Sequence, residues 1–360
     1  MNNPNVEEEL LTAENEIYKC PSCGANLKYE AANSGLKCDY CGYELNMKGE
    51  TSDIENDFLS VDKHQKWGEN VQTAICKNCG SHNVIESSTI SFNCPFCNSP
   101  TIISVEEFEG LKPDRVIPFK IDLKTANQNY TNWIKKKFFA PNNVKKNIPN
   151  PINSSIYLPS WTYDSESFSE YRGRLGKHYT VTVGSGKNRR TVTRTRWFRI
   201  SGVHKKTIDD ILICSGNKIR QEDLDKISPF DTNNSYVFDD RYLAGHSAEH
   251  YNIPVDKGWD RAQNIIKQEI RSEILNKYIY DVVDYLNFTP VYTNIKYKYV
   301  VLPVWLSSFT YKNKKYHYLV NGETGKISGN YPKSVWKILF VTLLVIGIIA
   351  AMLYFIYFNY

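Results

Sequence analysis

The sequence predicts an α+β fold: a mixed α+β body with two related sheet units, preceded by two small cysteine-built modules and followed by one apolar helix. Three observations carry this reading. Four Cys-x-x-Cys pairs form two groups of identical spacing near the start. Short alternating segments rich in Tyr, Val, Ile and Thr fill the middle, where only two stretches keep a helical period. The 23 residues 338–360 carry no charge. At 360 residues the chain can build two or three domains and a hydrophobic core. With 41% hydrophobic and 23% charged residues and a mean hydropathy of −0.46, a fully disordered chain and a polytopic membrane protein are both excluded. The 25 Tyr against 3 Met favour β-rich packing.

In chain order, residues 1–17 are expected to form a disordered acidic lead, in which neither a basic stretch nor an apolar run announces a signal segment. Residues 18–45 and 74–103 are two copies of one small unit. The polar stretch 46–73 between them reads as a linker with a short helix over 63–72. The body is expected over 111–333. Asp122 is placed to N-cap a helix carrying Leu123, Ala126, Tyr130, Trp133 and Phe138 on one stripe, and Pro141 stops it. Strand segments follow at 155–161, 167–174, 178–183, 191–200 and 208–214. A longer helix is expected over 256–286, where Trp259, Ile266, Ile270, Ile274, Tyr278 and Val282 recur at near-helical spacing. Strands return at 296–305, 307–311 and 315–319. Tyr157-Leu-Pro-Ser-Trp161 is echoed 144 residues later by Val301-Leu-Pro-Val-Trp305, which suggests the two related sheet units.

Residues 338–360 are long enough to span a bilayer core, which needs about 20 apolar helical residues. Lys333, Trp336 and Lys337 stand at one edge, and Tyr354, Tyr357 and Tyr360 at the other, as interfacial anchors do. A single-pass, tail-anchored chain in the cell membrane is expected, with the N-terminal domains cytoplasmic.

The cysteine groups are Cys20, Cys23, Cys38 and Cys41, then Cys76, Cys79, Cys94 and Cys97, each with fourteen residues between its two pairs. Grouped thiols without an export signal read as metal ligands rather than disulfides. Two Cys-x-x-Cys knuckles complete a tetrahedral four-sulfur shell with no open position, so the expected cofactor is Zn, two structural ions, with iron as the alternative metal. A unit of about 25 residues cannot fold on apolar burial alone, and the metal supplies the missing folding free energy. Gly24, Gly42 and Gly80 follow three of the knuckles, where the chain must reverse. His82 is surplus to a complete shell.

Charge is divided between the modules and the body. Residues 1–110 hold 7 Lys and no Arg against 18 Asp and Glu, a net of −11, whereas residues 111–337 hold 37 Lys and Arg against 21 Asp and Glu, a net of +16. A phosphate backbone would be repelled by the acidic modules, which favours a protein partner or the chain's own basic body. On a strand, Arg190, Arg194 and Arg196 share one face that fits lipid headgroups, an acidic protein or nucleic acid, with lipid or protein preferred in a tethered body. The plain alternative is a solvated face paired across the strand to acidic residues. Lys135, Lys136 and Lys137 complement a helix dipole.

Two strings imitate catalytic motifs. Gly184-Ser-Gly-Lys187-Asn188 has Val181 and Asn188 where a phosphate loop needs Gly and Ser or Thr, and it reads as a hairpin turn. His246-Ser-Ala-Glu249-His250 matches the inverted zinc-peptidase string, but Gly245 and Pro254 argue against the helix that chemistry needs. Cys214 reads as a buried strand thiol.

Taken in order, the paired cysteine modules, Ile117-Pro-Phe-Lys120, Phe138-Phe-Ala-Pro141, Tyr157-Leu-Pro-Ser-Trp161, Arg194-Thr-Arg-Trp197, Asp209-Asp-Ile-Leu212, Ala248-Glu249, Leu302-Pro-Val-Trp305 and Asn321-Gly-Glu-Thr-Gly-Lys326 resemble the YdjG-type bacterial membrane-anchored proteins with two N-terminal zinc ribbons. The resemblance covers nearly the whole chain. Such proteins are often labelled primosomal or helicase-like for their ribbons. The resemblance implies a non-enzymatic membrane adaptor that works with a second membrane protein to recruit SPFH-like and phage-shock-type membrane-remodelling factors under envelope stress. It also implies an aromatic residue where His246 stands. The alternatives are a membrane-tethered nucleic-acid-binding zinc-ribbon protein and, more remotely, a metallopeptidase.

Overall fold

The structure, a computed structural model, describes residues 18–52, 54–60, 71–76, 78–86, 91–96, 100–102, 111–146, 152 and 154–358. The acidic lead, the 63–72 helix apart from its last two residues, and Cys97 lie outside them.

The first module is an antiparallel sheet of β1 (Leu27–Glu30), β2 (Gly35–Cys38) and β3 (Glu44–Asn46). The stretch expected to link the modules touches the body: β4 (Asn56–Asp57) pairs with Lys296 and Tyr297, and the Val237 N–H donates to the Glu50 carbonyl. The second module contributes β5 (Val71–Ile75) and β6 (His82–Glu86), followed by the small pair β7 (Ser91–Asn93) and β8 (Pro100–Ile102).

In the body, β9 (Arg115–Val116) leads to α1 (Leu123–Lys136) and α2 (Asn142–Lys146). The Asp122 carboxylate accepts the Thr125 N–H at 2.8 Å, the N-cap expected from the sequence. Then come β10 (Ser154–Val183), β11 (Arg190–Cys214), α3 (Gln221–Ile227), β12 (Tyr236–Val237) and β13 (Ser247–Glu249). They are followed by α4 (Val255–Leu275), β14 (Val282–Phe288), β15 (Val291–Tyr311), β16 (Lys314–Asn321) and β17 (Ile327–Gly329). The chain leaves the body through α5 (Val335–Phe358).

The strand segments read from the sequence fuse. Three become the single strand β10, two become β11, and two become β15. Bulges rather than breaks separate the pieces: the β10–β11 and β10–β15 registers both shift around Asp164. The expected helix over 256–286 is shorter. It ends at Leu275, where the Asn276 N–H still reaches the Ser272 carbonyl, and the β-branched Val282 and Val283 pair with Gly176 and Leu175 instead. Tyr278 keeps a tertiary role outside the helix, its hydroxyl lying 2.8 Å from that of Tyr171.

Alternation along β10 and β15 splits the core into two layers. Tyr157, Trp161, Tyr163 and Tyr299 face the side covered by α1 and α4, with Ala126, Tyr130, Ile134, Trp259, Ile266 and Ile270 buried there. Ile156, Leu158, Val300 and Leu302 face the side covered by α3 through Leu224 and Ile227.

The two Leu-Pro stretches are adjacent strands of one sheet, with Leu158 opposite Leu302. About that pairing the same bonds recur. β9 runs parallel to β15 with Val116 beside Val301, and β13 runs parallel to β10 with Ala248 beside Tyr157. The Trp305 indole N–H donates to the Ile121 carbonyl two residues before α1, and the Trp161 indole N–H to the Ile253 carbonyl two residues before α4, both at 2.8 Å. The Pro303 carbonyl accepts from Gly322 N–H, and the Pro159 carbonyl from Ser215 N–H.

Both modules rest on the body. The Ala248–Val84 and Glu249–Asn83 pairs splice β6 onto the edge of the large sheet, which then runs β12-β9-β15-β10-β13-β6-β5. The first module packs through Tyr29, whose N–H donates to the Ala244 carbonyl at 2.9 Å and whose ring lies 5.3 Å from that of Tyr242.

Candidate metal centres and the basic hairpin

The first centre is built by two reversals of the chain. The Gly24 N–H donates to the Cys20 carbonyl (2.8 Å) and the Cys20 N–H to the Ala25 carbonyl (2.7 Å). The second knuckle repeats this: Gly42 N–H to Cys38 carbonyl (3.0 Å) and Cys38 N–H to Tyr43 carbonyl (2.8 Å). Such a turn needs a positive φ, and Gly24 and Gly42 stand at +74° and +76°. The result brings Cys20, Cys23, Cys38 and Cys41 together with all sulfurs within 4.8 Å of one another, the Cys20–Cys41 and Cys23–Cys38 pairs at 3.4 and 3.5 Å. Four sulfurs about 2.3 Å from one tetrahedral ion stand about 3.8 Å apart, so the set fits a single metal ion. The backbone N–H groups of Cys41 and Tyr40 point at Cys38 and lower its thiol to about 7, toward the thiolate that a metal binds.

The second centre repeats the knuckle at Cys76, Cys79 and Gly80. The Gly80 N–H donates to the Cys76 carbonyl (2.6 Å), the Cys76 N–H to the Ser81 carbonyl (2.9 Å), and Gly80 has φ +67°. Cys76, Cys79 and Cys94 gather within 4.8 Å; their sequence partner Cys97 lies outside the described residues. Ser81, unremarked in the sequence, is buried with its hydroxyl 3.4 Å from Cys79 Sγ and 3.2 Å from Cys94 Sγ, and the Asn83 amide donates to it at 2.9 Å. A hydroxyl held this way orients the sulfurs from outside the shell. The Lys218 ammonium donates to the Cys79 carbonyl, tying the knuckle to the body.

Arg190, Arg194 and Arg196 are exposed on β11, opposite Val183, Tyr179 and Lys177 of β10. Their cross-strand neighbours are therefore not acidic. Among the described residues none of the three arginines forms an ion pair. Residues 171–208 contain 11 Lys and Arg and no Asp or Glu. The expected hairpin turn is present, with Val183 pairing Arg190 across a loop that holds Gly184 at φ +93° and Gly186 at +58°. Tyr179 and Trp197 are partly exposed along it, and the Arg174 guanidinium lies 5.1 Å from the centre of the Trp197 ring.

The basic tip and the apolar helix occupy opposite ends of β10. Ser154 at its start pairs with Leu306, Leu306 with Leu319, and Leu319 with Ser328 of β17, which precedes α5; Val183 at its end pairs with Arg190. α5 is 24 residues long, with a mean hydropathy of 2.8 and no buried residue. At about 1.5 Å per residue it is long and apolar enough to cross a membrane.

His246, Glu249 and His250 do not share a helical face, because Ser247–Glu249 is the strand β13. His246 is half-buried beside Tyr29 and stacked on Phe119, with Nδ1 2.7 Å from the Ser155 hydroxyl, and desolvation lowers it to about 4. Glu249 is buried and its carboxyl is raised to about 8 by that burial; Oε1 accepts the Asn217 N–H at 3.2 Å. Cys214 is the buried strand thiol expected, pushed up to about 12 by burial.

A third cluster, of carboxylates, has no counterpart in the sequence reading. Glu55, Asp164 and Asp210 place oxygens within 4.8 Å of one another at the β10 bulge, beside a cavity of about 900 Å³. Burial and the neighbouring Glu55 raise Asp164 to about 7. Lys298 lies 2.8 Å from Asp210 and 3.3 Å from Glu55, and Lys296 3.3 Å from Glu55, so the group is an ion-pair network joining β4 to the sheet. No sequence spacing links positions so far apart; the bulge and the positive φ of Asp210 (+48°) bring them together.

A Bacillus subtilis (strain 168) protein named "Uncharacterized protein YdjG" is 28% identical to this chain over 229 residues, which are 63% of this chain and 66% of that protein. The likeness to YdjG suggested by the sequence motifs is thus supported. No family model and no solved structure matches the chain.

Proposed function

We propose that the chain is a non-enzymatic, tail-anchored membrane adaptor. Each cysteine module holds one structural zinc ion as a zinc ribbon, α5 spans the cell membrane with the remainder on the cytoplasmic side, and the β10–β11 hairpin grips an acidic protein partner. The observation that carries this reading is the polarity of β10: at one end a cationic, partly aromatic tip whose Arg190, Arg194 and Arg196 form no ion pair among the described residues, and the exit to the apolar helix at the other. That polarity favours a partner protein over lipid for Arg190, Arg194 and Arg196. The YdjG resemblance suggests the partner class, a second membrane protein together with SPFH-like and phage-shock-type factors in envelope stress. We also propose that the two Leu-Pro strands belong to related units. The recurring Trp-to-carbonyl and Pro-to-N–H bonds support this.

Affinity capture from native membranes in mild detergent tests the adaptor reading. The Arg190→Ala, Arg194→Ala, Arg196→Ala triple variant changes only exposed side chains, so its fold should persist while its co-purifying proteins are lost. Unchanged capture contradicts the reading. A second reading is single-stranded nucleic acid, favoured by Tyr179, which pairs with Arg194 and shares the face of the three arginines. Salt-sensitive retardation of an oligonucleotide, lost in the same triple variant, would support that reading over the first.

A further inference from the structure

The start of the apolar helix is pinned to one corner of the body. The Ser334 N–H donates to the Phe139 carbonyl at 2.7 Å. One turn later the Lys337 ammonium donates to the carbonyls of Phe138 (3.1 Å) and Ala140 (2.8 Å) and to Asn142 Oδ1 (2.8 Å). These bonds hold the loop between α1 and α2 against the residue before Ile338, where the uncharged run begins. Whatever plane α5 enters, this loop lies beside it.

The corner is dressed for such a plane. Phe138 is 59% exposed and Trp336 81% exposed, although both are large apolar side chains that a protein interior would take up. Around them stand Lys135 and Lys136 at the end of α1, Lys145 and Lys146 at the end of α2, and Lys333. None of these five forms an ion pair among the described residues. Residues 123–163 and 324–360 contain no Asp or Glu at all. Helix-dipole complementation accounts for Lys135 and Lys136, but not for Lys333 or for the exposed Phe138.

We propose that the α1–α2 corner is a lipid-docking foot: Phe138 and Trp336 enter the boundary between headgroups and acyl chains, and the surrounding lysines gather anionic phospholipid headgroups of the nearer leaflet. This rests on the reading of α5 as a membrane span. The occupant is the bilayer itself, because the Lys337 and Ser334 bonds carry the corner to the point where α5 would enter it. Docking here would stop the body swinging on its tether and fix the direction in which the β10–β11 hairpin points.

The test uses the full chain in nanodiscs of phosphatidylcholine alone, or of equal parts phosphatidylcholine and phosphatidylglycerol. Limited trypsin digestion read by mass spectrometry reports cleavage after Lys135, Lys136, Lys145 and Lys146, with exposed Lys257 on α4 as the internal control. The proposal expects cleavage at the corner to slow about tenfold in the anionic discs, with Lys257 unchanged. Phe138→Ser should remove much of this protection, and Lys145→Gln with Lys146→Gln should reduce it at Lys135 and Lys136. A chain that co-elutes with the discs yet is cut equally in both lipids overturns the proposal alone. A chain that does not co-elute overturns the membrane-span reading and the proposal with it.

Discussion

Glu249 sits in an environment far from its chemistry in water. Its carboxyl is buried, one oxygen held by the Asn217 N–H and the other without a hydrogen-bond partner among the described residues, so the neutral form is favoured. A carboxyl raised from its ordinary 4.5 to about 8 adds stability that is complete below pH 4.5 and is lost as pH rises through 8. Between pH 6 and 8 the native chain should therefore lose about 2 kcal/mol relative to Glu249→Gln, which keeps the hydrogen bonds without the charge. Denaturant midpoints of the detergent-solubilised full chain at the two pH values check this; parallel pH profiles for the two proteins would contradict it. Residue chemistry was unevenly legible. The cysteines announced themselves because four thiols at fixed spacing have few other uses, and Gly24, Gly42 and Gly80 marked the turns. Ser81 left no signal, since a serine after a glycine is common and only its approach to two sulfurs distinguishes it. Gly245 and Pro254 argue against a helix through the His246–His250 string, and Ser247–Glu249 is a strand.

Among the elements, the matching bonds of Trp161 and Trp305 make a paired prediction. Each indole N–H holds the carbonyl two residues before a helix, α4 in one case and α1 in the other. Trp161→Phe and Trp305→Phe should each cost about 1–3 kcal/mol through the lost bond and the carbonyl left unpaired. Thermal melts of the two variants should shift by similar amounts; a large loss in one and none in the other would argue against equivalent roles. α1 is legible from Asp122 and from Ala126 and Tyr130 on its inner face, but it ends at Lys136, before Pro141, and leaves Leu123 and Phe138 of the expected stripe exposed. α4 was read too long because Tyr278 and Val282 continue its spacing by chance, and nothing local reveals that Val282 and Val283 find a strand partner in β10. The long strands were read as fragments for a similar reason. Pro159 and the bulge at Asp164 look like breaks in one dimension, whereas the sheet accommodates both with neighbours more than 100 residues away.

For the whole molecule, the separation into acidic modules and basic body was visible in the charge pattern, but their joining was not. β6 adds to the body sheet through β13, β4 adds through β15, and Tyr29 of the first module covers His246. Pairings of two residues are too short to read from sequence, yet they decide whether the modules swing freely or ride on the body. They also mean that the second cysteine module continues one edge of the large sheet while the first packs against the body through Tyr29. The central claim is that eight cysteines hold shape rather than perform chemistry, and it is tested most directly by metal analysis combined with X-ray absorption on the full chain purified in mild detergent. The account predicts two zinc ions per chain, each with four sulfur neighbours at about 2.3 Å and no oxygen or nitrogen neighbour. Fewer than two ions, or a shell containing water, would contradict it.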